Sequence, residues 1–252
     1  MLAIAIAIAI AIGAAVAAGC GPDTEPGADL AARDRAIESL AGRLGNTLLA
    51  PPLHQSLDEL LPNVRFNVDS GSPSSLVDSV VVGEIDDATP GRSQIMLEEP
   101  DGPLAMVDFE DIRAMVRTVH LSVDVDEEIG SDVVGDRITV GLVIPAEVDP
   151  EVTMRGLESM GPVVLFLRDD SVVFDYDDAL YSIVGNGTFL GLIGNSGEID
   201  FPVIRRTESS SMPETMFAGV TLDTLREAAS GPERVIPMTT PSGGGFPQRS
   251  GP

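Results

Sequence analysis

The chain has 252 residues, 43% of them hydrophobic and 4% aromatic, with no tryptophan and a single cysteine. Acidic residues number 40 against 15 basic ones, every one an arginine, for a formal net charge of -25. Such a surface repels phosphate backbones and anionic headgroups, so it excludes nucleic acid as a partner and leaves membrane contact to an anchor. A lone cysteine excludes an internal disulfide and any multi-cysteine metal framework. The same charge suits calcium or a basic partner, or simply keeps an exported protein soluble.

The first segment is apolar and uncharged from Met1 to Ala18, and it ends in Ala17-Ala18-Gly19 directly before Cys20. Small residues let a peptidase close around the backbone, and the thiol that follows is open to acylation. This join resembles the lipobox of bacterial lipoproteins, in which the cysteine takes a diacylglyceryl group and becomes the new N-terminus. The resemblance implies a signal peptide over residues 1–19 and lipid attachment at Cys20. It also implies an address on the extracytoplasmic face of the cell membrane. An apolar run of about 18 residues also lies at the lower edge of what spans a bilayer, so an uncleaved helical anchor is the alternative.

Residues 20–27 read as a polar tether, and residues 28–62 as a helical segment. Leu30, Ala31, Ile37, Leu40, Ala41, Leu44 and Leu48 recur at helical spacing, Asp29 suits the first turn, and Pro51-Pro52 stops the run. A β-rich domain with a C-terminal helix is expected over residues 75–230. Residues 76–85 are β-branched and read as a strand. Thr89-Pro90-Gly91-Arg92 reads as a turn, and residues 93–113 as an irregular acidic excursion. Residues 118–126 alternate with Val119, Leu121, Val123 and Val125 on one face, and residues 137–144 form the next strand. The continuous apolar run 161–168 suggests a strand buried on both faces.

Gly185-Asn186-Gly187 reads as a hairpin turn between 180–184 and 188–193, and Gly194-Asn195-Ser196-Gly197 as a second one before 198–204. A short helix begins after Thr221, which supplies its cap. Residues 231–252, rich in Pro, Gly and Ser, read as a disordered tail. The expected fold is therefore mainly β: a small barrel or sandwich of five to six strands, flanked by an N-terminal and a C-terminal helix.

Three stretches carry a second resemblance: Asp78 to Ile85, Val123 to Gly130 with Arg137 to Val140, and Gly161 to Leu167. Together they are similar to the opening strand, middle hairpin and later strand of the small OB-like, netrin-like β-barrel domains of secreted bacterial proteins. The resemblance covers roughly residues 75–203. It implies a fold and leaves activity open.

No motif of chemistry stands out. Serine–lysine catalysis is excluded for want of lysine, and the two imidazoles, His54 and His120, are far apart in sequence. His120 is expected on the polar face of its strand. Acids cluster at Asp124, Asp126, Glu127 and Glu128, and again at Asp169, Asp170, Asp175, Asp177 and Asp178. Calcium takes six or more oxygens, often from acids on loops, so Asp175, Asp177 and Asp178 are the candidate metal ligands; a solvated acidic loop is the other reading. No further cofactor is expected. The sequence thus points to a non-enzymatic binding or interaction module of the cell envelope, anchored by lipid and meeting an envelope protein or component. A carboxylate-dependent hydrolase of an envelope polymer and a structural spacer are the alternatives.

Overall fold

The computed structural model describes residues 26–44, 57–67, 73–96, 104–130, 135–170, 180–206, 217 and 219–237. Within them the protein is mainly β. Helix α1 (Pro26–Leu44) is followed by a single 3-10 turn (Leu57–Glu59) and strand β1 (Val64–Asn67). Then come β2 (Ser79–Met96), β3 (Leu104–Val107), β4 (Val116–Ile129), β5 (Arg137–Pro145), helix α2 (Pro150–Glu158) and β6 (Pro162–Asp169). The chain continues through β7 (Leu180–Ile183), β8 (Leu190–Ile193), β9 (Ile199–Asp200), helix α3 (Pro202–Arg206), helix α4 (Leu222–Ala229) and β10 (Arg234–Pro237).

An eight-stranded sheet runs in the order β3-β2-β4-β5-β7-β6-β8-β9, and β2 pairs in addition with β6. Each of β2, β4, β5, β7 and β6 is therefore bonded to two others of that set. All of these pairings are antiparallel except β5 with β7. Strand β2 makes this possible by its length. Its first third lies between β4 and β6, and Ser93 and Gln94 near its end lie between β4 and β3.

Alternation sets which side chains enter the core. On β4 and β5, Val119, Leu121, Val123, Val140, Leu142 and Ile144 are fully buried, as a half-buried strand of period two requires. The expected central strand is β6, buried from Val163 to Leu167 without a break, so both its faces are covered. Phe166 belongs to a second apolar layer with Phe189, Phe201 and Phe217, whose ring centroids lie 5.3 to 6.5 Å apart at tilted or edge-on angles. Such geometry suits the ring quadrupole.

Several sequence expectations are corrected. Thr89-Pro90-Gly91-Arg92 does not turn the chain; it lies inside β2, where the register against β4 shifts between Pro90 and Ser93. Proline cannot donate to a ladder and is tolerated at such a bulge. Gly185-Asn186-Gly187 does not join a hairpin either. Strands β7 and β8 pair with the same edge of β6: Leu167 faces Ile183, while Leu165 faces Leu190. The residues between are extra length looped out of one interrupted line of pairing. All three turn residues have positive φ, Asn186 at 51°, which explains the Gly-Asn-Gly composition. Gly194 to Gly197 does make the expected β8–β9 hairpin, but the strand ends at Asp200 and α3 follows.

The buried stripe of α1 is Ala32, Ala36, Ile37, Leu40 and Ala41, and Leu30 is exposed. Part of the expected tail is ordered: β10 pairs in parallel with β1, Val64 opposite Arg234 and Phe66 opposite Ile236. The capped C-terminal helix is α4, with Thr221 and Thr224 forming a reciprocal capping box.

Candidate functional site

The residues singled out by sequence fall into two groups. Cys20, His54, Asp175, Asp177 and Asp178 lie outside the described residues, as do the whole leader (1–19), the tether up to residue 25 and the tail from residue 238. The acids of β4 are described, and three of them, Asp124, Glu127 and Glu128, go to separate partners. Asp124 lies 3.5 Å from an Arg137 nitrogen, and Arg137 also pairs with Asp86 and donates to Ser122 Oγ at 2.7 Å. Glu128 accepts from Ser79 Oγ at 3.0 Å. Glu127 accepts both Nε and an outer nitrogen of Arg226, at 2.8 and 2.5 Å, tying β4 to α4. That hydrogen-bonded guanidinium holds the Glu127 carboxyl below its ordinary value despite partial burial. Among the described residues, no three of His, Cys, Asp and Glu gather as a metal ion would need.

His120 is half-buried on the outward side of β4, opposite Thr89 on β2 and Gly141 on β5. Its ring lies against the backbone of Gly91. Burial, and then the charge of Arg92, push the imidazole below its ordinary value.

A cleft of about 810 Å³ opens elsewhere, where α1, α2 and the adjoining ends of β4 and β5 meet. Its aliphatic part comes from Met115 and Val116 at the start of β4, Pro145 at the end of β5, and Val148 and Val152 beside α2. Its polar part comes from Arg35, Glu38 and Ser39 on α1 and from Glu147 and Asp149 in the turn before α2.

Local chemistry builds both walls. Asp149 caps α2 by accepting from the N–H groups of Glu151 and Val152 at 3.0 and 3.2 Å, and Pro150 opens the helix where no N–H is needed. The helices then cross closely at Gly156. A Cβ there would stand 2.3 Å from the Ala32 carbonyl oxygen, so only glycine permits the approach. Ser159 Oγ also donates to the Asp29 carbonyl at 3.3 Å.

Apart from Asp149, which caps α2, the charges lining the cleft are Glu38, Glu147 and Arg35, and these form no ion pair among the described residues. Arg35 Nε donates to the Ala31 carbonyl one turn back. Ser39 Oγ is buried and finds no partner. Met115 is 51% exposed at the mouth. The cleft escapes sequence reading because its lining comes from three separated stretches. The one local signal, Asp149-Pro150-Glu151 as a helix start, lies in plain sequence. Comparison with family models, curated proteins and solved structures finds no match to this chain. Among the described residues, no helix is long and apolar enough to cross a membrane.

Proposed function

We propose that the protein is an extracytoplasmic lipoprotein, held at the cell membrane by lipid on Cys20. In this reading its body is a small OB-type barrel acting as a non-enzymatic binding module of the cell envelope. The barrel reading is supported by the circuit of pairings β2-β4-β5-β7-β6-β2, by its single parallel contact, and by α2 lying between β5 and β6, the third and fourth of these strands in chain order. The anchor reading is supported by the uncharged run ending in Ala17-Ala18-Gly19-Cys20.

The observation that carries the binding reading is the cleft: its lining combines aliphatic side chains with charges that form no ion pair among the described residues, and it is built on two helices and a sheet end. A concave, mostly apolar site with a few convergent polar groups is the usual form of a recognition site. A net charge of -25 directs the module away from nucleic acid, whatever other barrels of this kind bind.

Intact mass of the protein purified from membranes tests the address. A chain beginning at Cys20 and carrying a diacylglyceryl group is expected; an unmodified full-length polypeptide in the cytosol would overturn it. Cross-linking in envelope preparations tests the role. A specific partner should be captured by the native chain and lost when Gly42→Leu fills the cleft. Capture that is indifferent to that change removes the cleft from the proposal.

A further inference from the structure

The geometry points to a basic peptide segment as the occupant of the cleft, an inference that rests on the binding-module reading above. Three features of the lining select it. First, the apolar surface is wholly aliphatic: Met115, Val116, Val148 and Val152 offer no ring face, so neither stacking of a flat ligand nor an aromatic cage for a quaternary cation is available. Methionine, unbranched and polarizable, adapts to varied aliphatic side chains.

Second, two exposed carboxylates approach from different walls, Glu38 from α1 and Glu147 from the turn before α2, and neither is spent on an ion pair among the described residues. Asp149 is spent, because both its caps are made. With Arg35 the free charges of the lining sum to a net negative, which favours a cationic guest. Lysine and arginine side chains combine an aliphatic stem, which the aliphatic lining would cover, with a charged head, which the carboxylates would meet.

Third, the opening is a cleft rather than a closed chamber. It carries a guanidinium, Arg35, on the α1 wall. A peptide brings carbonyl groups for such a donor, which a simple alkyl amine does not. The field of a chain carrying -25 steers cationic segments toward it before contact.

The test is calorimetric titration of the full chain, held in nanodiscs of zwitterionic lipid. The probe is the pentapeptide Leu-Lys-Val-Lys-Leu blocked at both ends, against the same peptide with both lysines Nε-acetylated. The charged peptide should bind and the acetylated one should bind far more weakly. Glu38→Gln or Glu147→Gln should each weaken the charged peptide about threefold, and the pair about tenfold, the scale of partly exposed ion pairs. Glu84→Gln with Asp126→Asn, which removes two exposed acids outside the lining, should leave the affinity unchanged.

Equal weakening by that second pair means attraction to the surface at large, and overturns the inference. Equal binding of the acetylated peptide also overturns it, while leaving the cleft as a site for neutral aliphatic ligands. Failure of both peptides, in a protein whose envelope partner is still captured by the Gly42→Leu variant, removes the cleft reading together with this one.

Discussion

Residue positions on a ladder decide more here than residue type. The run Asp124, Asp126, Glu127, Glu128 looks like one cluster in sequence, yet the register against β2 shifts within it, and Arg137, Arg226 and Ser79 each take a different member. The polar-face placement of His120 was legible from alternation alone, because Val119 and Leu121 on either side of it are core. Its titration was not legible, since Gly91 and Arg92 approach from another strand.

An imidazole whose folded value is depressed binds its proton more readily in the unfolded chain, so stability falls as the pH drops through its ordinary value of 6.5. Asp111 is held down to about 2 by its hydrogen bond from Arg113, and Glu127 is held down by Arg226. Both carboxylates release their contribution only at more acid pH. Thermal melts between pH 7.5 and 5.5 should therefore lose stability in the native chain and lose less of it in His120→Gln. Identical slopes for the two would refute the assignment.

Elements were legible where a pattern ran long enough. The alternation of β4, the apolar run of β6 and the Thr221 cap of α4 were all readable, and all recur in the structure. Helix α2 went unread because it spans little more than two turns, too few for a period of 3.6 to declare itself, although Asp149-Pro150 marks its start. The inserted turn before β8 was misread because Gly-Asn-Gly signals positive φ and says nothing of which strand is bonded to which.

Two glycines show how element context reverses a substitution. Gly42 in α1 has nothing within 4 Å of where a Cβ would sit, while Gly156 in α2 faces the backbone of Ala32. Gly42→Ala should stabilise the protein by up to about 1 kcal/mol, since alanine loses less backbone freedom in a helix. Gly156→Ala should destabilise it by about 1–3 kcal/mol by prising α1 from α2. Denaturant midpoints would check both signs. Equal effects would mean that the close crossing does not hold the helices.

At the scale of the whole molecule, the succession of short strand patterns pointed to a mainly β protein, which the structure shows, and it left the pairing order unread. No local signal could have placed β7 beside β5 in parallel or β10 beside β1, because those contacts join distant stretches. The charge of -25 is a property of the whole. Mutual repulsion of this kind favours expansion, and salt shortens its reach from about 30 Å at 0.01 M to about 8 Å at 0.15 M. The melting temperature should thus rise with sodium chloride over that range, and equally with choline chloride. A fall would mean that ion pairs such as Arg226 with Glu127 outweigh the repulsion.

The parallel union of β1 with β10 also bears on how the chain carries load. The two strands run in the same direction, one early and one late in the chain. Tension applied between the two termini therefore enters at opposite ends of the pair and drags one strand lengthwise past the other. Their bonds resist together rather than opening one at a time like a zip, so the elements between the two strands should be shielded from the load until this small clasp gives way.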